Sequence, residues 1–210
     1  MFIELTDHLH CPAGHPEQFL VLLPSRMEGR RVLTGELGCP VCGQVVLLVD
    51  GIATWVGAVP SEGRTALTAE AVAAFLGLSG PGGYVALVGG VTVLAQALTP
   101  RLPGIRLVLV NPPAGTPDSD EGSVLRAPSL PLKSGSMRGM VLGSDFGGSS
   151  AWVDASVGCV LQGLRVVVEG GEPPTQGVEV LARSEACWVG KKQGARELGN
   201  LPELPSSLAP

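Results

Sequence analysis

Apolar and polar positions divide the chain into two parts with different periods. Residues 1–58 carry short apolar runs of strand length, at 19–23, 31–37 and 44–55, separated by turn residues. Such runs predict two β-hairpins, the second with Asp50-Gly51 as its turn. Residues 64–192 instead alternate helix-like stretches with continuous apolar runs. That alternation is typical of buried parallel strands in an α/β sheet.

The second part of the chain can be divided further. Thr68 is expected to cap a helix in which Ala71, Val72, Phe75 and Leu76 share one face. Buried strands are predicted within 82–90 and 105–113, with a helix at 91–98 between them. The pattern then predicts two strands within 123–142, a helix at 150–163, a strand at 164–171 and a closing pair of strands at 177–192.

Composition narrows the classes of function. The 210 residues carry a net charge of −5, which disfavours nucleic acid as a partner without removing it as an alternative. No apolar run reaches the roughly 18–20 residues that a membrane span needs. The first ten residues have acids where a secretion signal needs basic residues, so we expect a cytoplasmic protein without a membrane span. Clustered cysteines in such a protein favour a metal over a disulfide.

Two Cys-Pro turns lie 23 residues apart in the first part. Cys39-Pro40-Val41-Cys42-Gly43 has the spacing at which two thiolates converge on one cation. Cys11-Pro12-Ala13-Gly14-His15 repeats the device with a longer spacer and an imidazole as the second ligand. The pattern predicts a tetrahedral zinc site formed by four ligands: Cys11, His15, Cys39 and Cys42.

The fourth ligand has alternatives. His8 and His10 precede Cys11 and could replace His15, although His15 lies where a knuckle needs a ligand. Four protein ligands leave no open position for a substrate water, so the predicted zinc is structural. It would hold a module whose core is too small to fold alone.

Residues 1–58 resemble the zinc ribbons that accompany class I methyltransferases. The stretch CPAGH, followed by FLVLLP, is similar to the Cys-x3-His knuckle in the N-terminal ribbon of bacterial rRNA guanine methyltransferases. The order of the two knuckles is reversed here. Residues 35–42 are similar to the late knuckle of small ribbon subunits that activate tRNA and release-factor methyltransferases. The resemblance implies a zinc ribbon and does not identify a substrate.

Residues 65–192 resemble the class I methyltransferase domain itself. The order of elements matches that fold, and residues 125–142 are similar to a family motif in which Leu130-Pro131-Leu132 takes the usual place of Leu-Pro-Phe. The resemblance implies a Rossmann-like α/β sheet. It also implies that S-adenosylmethionine (SAM), if it binds, lies against three residues: Gly89, Gly90 and Asn111.

The cofactor motifs of that family are degenerate in this chain. Four positions that the resemblance assigns to acids hold other residues: Leu87, Asn111, Arg126 and Arg138. Gly90 is out of phase with the family's glycines, and we expect Val91 and Val93 to narrow the crevice. A cationic ligand would therefore find no negative charge at these points, and we do not expect SAM to bind.

Some smaller features remain. Asp145 follows a strand at the edge where this fold holds its catalytic groups, although we interpret it as a solvated acid. Only residues 172–176 separate the fifth and sixth strands, where the family has a helix. We expect this trimming to expose sheet surface near Val166 and Val180. Residues 193–210 are predicted to be a flexible tail, and their leucines could anchor in a partner's groove: Leu198, Leu201, Leu204 and Leu208.

Together these features predict three segments: a zinc ribbon (1–58), a methyltransferase-like domain (64–192) and the tail (193–210). We interpret the chain as a non-catalytic scaffold or regulatory subunit of a protein assembly. The alternative is an active SAM-dependent methyltransferase acting on RNA or protein, with the ribbon recognising the substrate.

Overall fold

The computed structural model describes residues 1–194 as eleven strands with short helices around them. The strands are β1 (Val21–Glu28), β2 (Arg31–Gly38), β3 (Val45–Val49), β4 (Ile52–Thr54), β5 (Tyr84–Val88), β6 (Arg106–Val110), β7 (Gly122–Arg126), β8 (Met137–Leu142), β9 (Val160–Glu169), β10 (Val178–Arg183) and β11 (Cys187–Lys192). The α-helices are α1 (Ala69–Leu76), α2 (Ala95–Leu98), α3 (Ser144–Gly147) and α4 (Ser150–Cys159), and 3₁₀ helices span Ile3–His8, Gly89–Leu94 and Thr99–Arg101.

All eleven strands form one sheet in the order β1-β2-β3-β4-β7-β6-β5-β8-β9-β11-β10. Strands β4 to β9 across its centre pair in parallel, whereas β11 is antiparallel to both β9 and β10. Counted from β5, the larger part has the order 3-2-1-4-5-7-6 with one reversed strand, as in the class I methyltransferase sheet. The expected fold class is therefore confirmed, with a small β module at the N-terminus.

Alternating residues of the central strands supply two separate cores. Val85 and Leu87 of β5 face the side covered by α1, α2 and the 3₁₀ turns around α2. Tyr84, Ala86 and Val88 face the other side. Both faces are apolar because parallel strands are buried on both sides. Helix α4 covers only part of the second face, so another element has to complete it.

The first twenty residues complete that second face. Leu5 and Leu9 are fully buried against it. Leu9 forms a β-bridge with Leu132, and the backbone N–H of His10 donates to the carbonyl of Pro131 at 3.0 Å. The connection between β7 and β8 contains no helix, and the N-terminal segment lies where one would otherwise pack. The small module and the sheet consequently share one core.

The two predicted hairpins are confirmed. Strands β1 and β2 pair around Gly29, and β3 and β4 pair around a two-residue turn in which Asp50 (φ 50°) and Gly51 (φ 79°) both have positive φ. This is the backbone that a type I′ turn requires. Strand β4 then pairs in parallel with β7, Ala53 lying opposite Leu125, and so joins the module to the larger sheet.

Other expectations need correction. No helix separates β9 from β10 in the described chain, as expected, but Val166 is buried in the second core and only Val180 is exposed. Residues 89–101 form mainly 3₁₀ turns with one α-helical turn between them, because Pro100 and the Gly89-Gly90 start leave little room for regular helix. The helix predicted over 150–163 ends at Cys159.

The two outermost strands of the sheet are irregular. Strand β1 contains Pro24, and its register with β2 shifts between Pro24 and Met27. The register of β10 with β11 shifts between Val180 and Ala182. Both edges therefore carry a break in their hydrogen-bond ladders.

No helix within residues 1–194 is long and apolar enough to cross a membrane. The segment boundaries at 58, 64 and 192 stay predictions. The sheet and the core on its second face both continue across the boundaries at 58 and 64. The tail leucines, from Leu198 onward, lie outside the described residues.

We predict that Thr68→Ala lowers the free energy of unfolding by about 1 kcal/mol. The Thr68 hydroxyl accepts a hydrogen bond from the backbone N–H of Ala71 at 3.2 Å and caps α1, which packs on the central sheet. Urea denaturation followed by circular dichroism measures the change. Thr68→Ser keeps the hydroxyl and should lose at most a few tenths of that amount. Equal losses in both variants would contradict the capping role.

Candidate metal centre and cofactor edge

The two Cys-Pro turns meet at one end of the small module. The second turn is closed by backbone hydrogen bonds from Cys39 N–H to the Gln44 carbonyl (2.8 Å) and from Gly43 N–H to the Cys39 carbonyl (3.0 Å). Gly43 has φ +72°, a backbone that favours glycine. The first turn is closed by a hydrogen bond from Cys11 N–H to the carbonyl of Gln18 (3.0 Å).

Four side chains converge where these turns meet. The ligand atoms of Cys11, His15, Cys39 and Cys42 all lie within 4.8 Å of one another. The Cys11 and Cys42 sulfurs are 3.7 Å apart, and His15 Nε2 is 3.4 Å from the Cys39 sulfur. A tetrahedral ion with Zn–S bonds of about 2.3 Å separates its sulfur ligands by about 3.8 Å. The structure therefore brings the predicted ligand set together in a geometry that could hold zinc.

The surroundings of Cys39 and Cys11 shift the pKa values of the two thiols in opposite directions. Burial opposes loss of the Cys39 proton, but hydrogen bonds from the backbone of Cys42 and Val41 outweigh it and lower the pKa of Cys39 to about 6. Burial is the main cause that raises the pKa of Cys11 to about 11. Because cysteine ligates metals as the thiolate, metal binding at this cluster has to displace a proton from Cys11.

The alternative histidines lie outside the cluster. The ring nitrogens of His10 lie 2.8 Å from the Cys11 carbonyl and 3.0 Å from the Leu130 carbonyl, so both are engaged with backbone. His8 packs edge-on against the ring of Tyr84. His15, in contrast, has its Nδ1 beside the Pro16 carbonyl at 2.8 Å, which leaves Nε2 to face the cysteines.

The second candidate region is the carboxyl edge of the central sheet, where the resemblance would place SAM. Leu87 is fully buried inside β5, and the chain turns sharply at Gly89, which has φ +74°. A Cβ at Gly89 would overlap Asp145 and Phe146, and a Cβ at Gly90 would overlap the carbonyl oxygen of Arg64. The glycines are therefore explained by close packing against the protein's own backbone and side chains.

Arg64 belongs to a linker, residues 55–68, that joins β4 to α1 across this edge. The linker begins at the end of β7, where Trp55 N–H donates to the Arg126 carbonyl at 2.7 Å. It passes the end of β6, where Ser61 N–H donates to the Asn111 carbonyl at 3.2 Å. It then lies on Gly90 at the end of β5.

The linker is fixed at its far end by a buried acid. Glu169, 2% exposed, stands at the end of β9 and accepts three hydrogen bonds on one carboxylate oxygen. The donors are the hydroxyl of Thr65 (2.8 Å) and the backbone N–H groups of Ala66 (2.6 Å) and Leu67 (3.1 Å). The sequence pattern did not identify Glu169 as important. The only signal was an acid directly after the apolar run 166–168.

Asn111 performs a structural task at this edge. It has φ +51° and is 1% exposed. Its amide nitrogen donates to the carbonyl of Ala127 and its amide oxygen accepts from the N–H of Ala127, both at 2.8 Å. The side chain thus joins the loops after β6 and β7, and both of its polar groups are satisfied without a ribose.

The two arginines at acid positions also hold loops. Arg126 lies 3.2 Å from the carbonyl of Pro112 and 3.3 Å from that of Pro113, to which its guanidinium donates. Arg138 donates to four successive carbonyls in the turn before β5: Ser79, Gly80, Pro81 and Gly82. A guanidinium has five donors and can serve several carbonyls at once, which a carboxylate cannot.

Val91 does not narrow the crevice as expected. Val91 is fully buried in the core beneath α1 and α2, whereas Val93 is half exposed beside Gly63 of the linker. The expectation for Val91 was wrong, because this side chain packs into the core on the α1 side of the sheet. Asp145 is exposed, and one of its oxygens accepts from Gly90 N–H at 3.2 Å, which supports the turn after β5.

No protein-family model matches the sequence, and no curated protein is similar enough to match. Two structures of the antibiotic-resistance methyltransferase Kmr align at 12% identity, with TM-scores of 0.42 and 0.40, covering 66% and 64% of this chain and 99% and 98% of those chains.

A third similar structure is a 16S rRNA N2 G1207 methyltransferase, RsmC, from T. thermophilus. It was solved with AdoMet and guanosine and aligns at 15% identity and a TM-score of 0.34. The alignment covers 88% of this chain and 47% of that one. Likeness at this level adds nothing to the strand order, on which the fold assignment rests.

We predict about one zinc ion per chain in native protein, measured by elemental analysis. Replacing His15 with Ala should weaken zinc binding by more than the roughly 10–100-fold typical of changes outside the ligand set, because it removes a ligand. His8→Ala is the matched control, since His8 packs on Tyr84 away from the cluster. Native protein without stoichiometric zinc, or metal lost from the His8 variant alone, would contradict the ligand set.

We also predict that Glu169→Ala loosens the linker. Backbone amides of Ala66 and Leu67 should exchange with solvent faster, and the free energy of unfolding should fall by about 2 kcal/mol, because a buried charged acceptor is lost. Hydrogen exchange followed by mass spectrometry measures the first effect. Glu169→Gln retains an acceptor oxygen and should stay closer to the wild type. Unchanged exchange in the Ala variant would show that other contacts hold the linker.

Proposed function

We propose that this protein is a non-catalytic scaffold or regulatory subunit of a protein assembly. It combines a structural zinc module with a methyltransferase-like sheet whose cofactor edge is covered by the chain itself. The observation that carries the proposal is the linker contact on Gly90, at the point where a class I methyltransferase would hold SAM.

The residues around that point support the same conclusion. Leu87 is buried in place of an acid, and both polar groups of the Asn111 side chain are paired with Ala127. At positions 87 and 111 a ligand with a positive sulfonium and a ribose would find neither a carboxylate nor a free amide, and the nearby Asp145 carboxylate accepts from Gly90 N–H. The residues present therefore do not fit SAM, and no reaction step is assigned to it.

Zinc in this proposal is structural. Cys11, His15, Cys39 and Cys42 would supply four ligands, which leaves no coordination position for a substrate or a reactive water. Cys11 and Cys39 are also part of the core that the module shares with the sheet. The metal would therefore stabilise the packing of the N-terminal segment on the second face of the sheet.

A protein partner fits this chain better than nucleic acid does. The net charge of −5 opposes a polyanion, and exposed aliphatic side chains are concentrated on the small module. The alternative function, an active methyltransferase on RNA or protein, would require the linker to leave Gly90 and free the edge. That requirement makes the alternative directly testable.

We predict no saturable heat in calorimetric titrations of the full chain with SAM or its demethylated product up to millimolar concentration. Leu87→Asp should not restore binding, because Arg64 still covers Gly90. Saturable binding by the wild type with a micromolar Kd would overturn the proposal. Binding that appears only in Glu169→Ala would reveal a working site beneath a movable cover and would equally overturn it.

A further inference from the structure

The outer face of the small module is an apolar surface without a covering element in the described chain. Side chains along β3 alternate between the two faces of the sheet: Val46 and Leu48 are buried, and Val45, Leu47 and Val49 point outward. The exposed set comprises six side chains that are 43–62% exposed: Phe19, Val21, Leu23, Val45, Leu47 and Val49. We call this set, together with the β2 residues between its members, the ribbon face.

The ribbon face is shaped as a shallow groove. Leu23 of β1 and Leu47 of β3 both lie opposite Glu36 of β2, and Val21 and Val45 both lie opposite Gly38. Cross-strand partners of this kind project to the same side of a sheet. Aliphatic ridges on β1 and β3 therefore flank a floor formed by β2. Strands two places apart are about 10 Å from each other, which is close to the diameter of an α-helix.

The floor of the groove has free space above Gly38. A Cβ added at Gly38 would meet only the Val21 carbonyl, at 4.0 Å. The ridge from Val45 to Val49 is about 13 Å long, which corresponds to about two and a half helical turns. Exposed fractions of this size leave on the order of 600 Å² of apolar surface in water, as much as the largest patches on monomers. A partner that covers it would bury a similar area of its own surface. The interface would then bury roughly 1,200 Å² in total, which is the lower limit of a stable interface.

A single carboxylate stands at the centre of this surface. Glu36 is exposed and lies between Leu23 and Leu47. If two copies of the chain packed these faces together about a two-fold axis, each Glu36 would approach its symmetry mate in an apolar setting. Like charges there are destabilising, so a second copy is a poor occupant. A basic group at the same point would instead form an ion pair within the groove.

We infer that the ribbon face binds an amphipathic α-helix of a protein partner, with a lysine or arginine in the middle of its apolar side. Residues at i, i+3 or i+4, and i+7 of that helix would lie between the two ridges above Gly38. The basic residue would reach Glu36. This inference rests on the proposed scaffold function and specifies the kind of partner that the scaffold holds.

The test uses the full zinc-loaded chain and two labelled helical peptides of about 16 residues. Both peptides carry leucines at i, i+4 and i+7, and they differ only in a central Lys or Glu on the leucine side. Fluorescence anisotropy should show the Lys peptide binding at least tenfold more tightly than the Glu peptide. Glu36→Lys should reverse that preference. Leu47→Ser should weaken binding of the Lys peptide at least tenfold, whereas Val56→Ser, at a 92% exposed valine after β4, should change nothing.

Absence of Lys-peptide binding, or a preference that Glu36→Lys does not alter, would overturn the inference. So would a dimer in light scattering that Leu47→Ser dissociates, because the occupant would then be a second copy. The scaffold function fails separately, through SAM binding in calorimetry. If the protein bound both the Lys peptide and SAM, the inference about the ribbon face would hold and only the non-catalytic role would be wrong.

Discussion

The parallel pairing of β4 with β7 is the constraint on which much of this structure depends. It fixes the small module at one side of the sheet and makes the chain leave β4 at the carboxyl edge, where Thr54 lies opposite Arg126. Helix α1, however, packs beside β9, on the opposite side of β5. The linker therefore has to travel past the ends of β6 and β5 to reach Glu169. Its path across this edge follows from the topology, and its close contact there requires glycine at position 90.

The same arrangement gives polar side chains around the sheet structural partners. Asn111 and Arg126 lie at the carboxyl edge, whereas Arg138 lies at the start of β8, beside the turn before β5. Here each is paired with backbone carbonyls or N–H groups, and two of them stabilise loops that lack helices. Their polar groups therefore serve the fold at these points.

Local signals in the sequence were sufficient for much of the fold. The turn at Asp50-Gly51, the cap at Thr68 and the spacing of Cys39 and Cys42 each depend on residues close in sequence, and the structure has these features where they were predicted. The path of the linker across the carboxyl edge could not be predicted. Ser61 and Asn111 are 50 residues apart in the sequence, and only the folded sheet brings them together. Burial of Val166 likewise depended on how distant elements pack on the second face of the sheet, which has no signal in the neighbouring sequence.

The breaks in register at both outermost strands have a consequence for how far the sheet can grow. An eleven-stranded sheet with two regular borders would present two ladders of free N–H and C=O groups, to which further chains could add without limit. Pro24 removes a donor from one border, and the shift after Val180 bends the other. Continuous polymerisation along the hydrogen-bond direction is thereby discouraged at both ends. Another protein would then contact a face of the sheet, where the area of contact is limited and side-chain shape determines the fit.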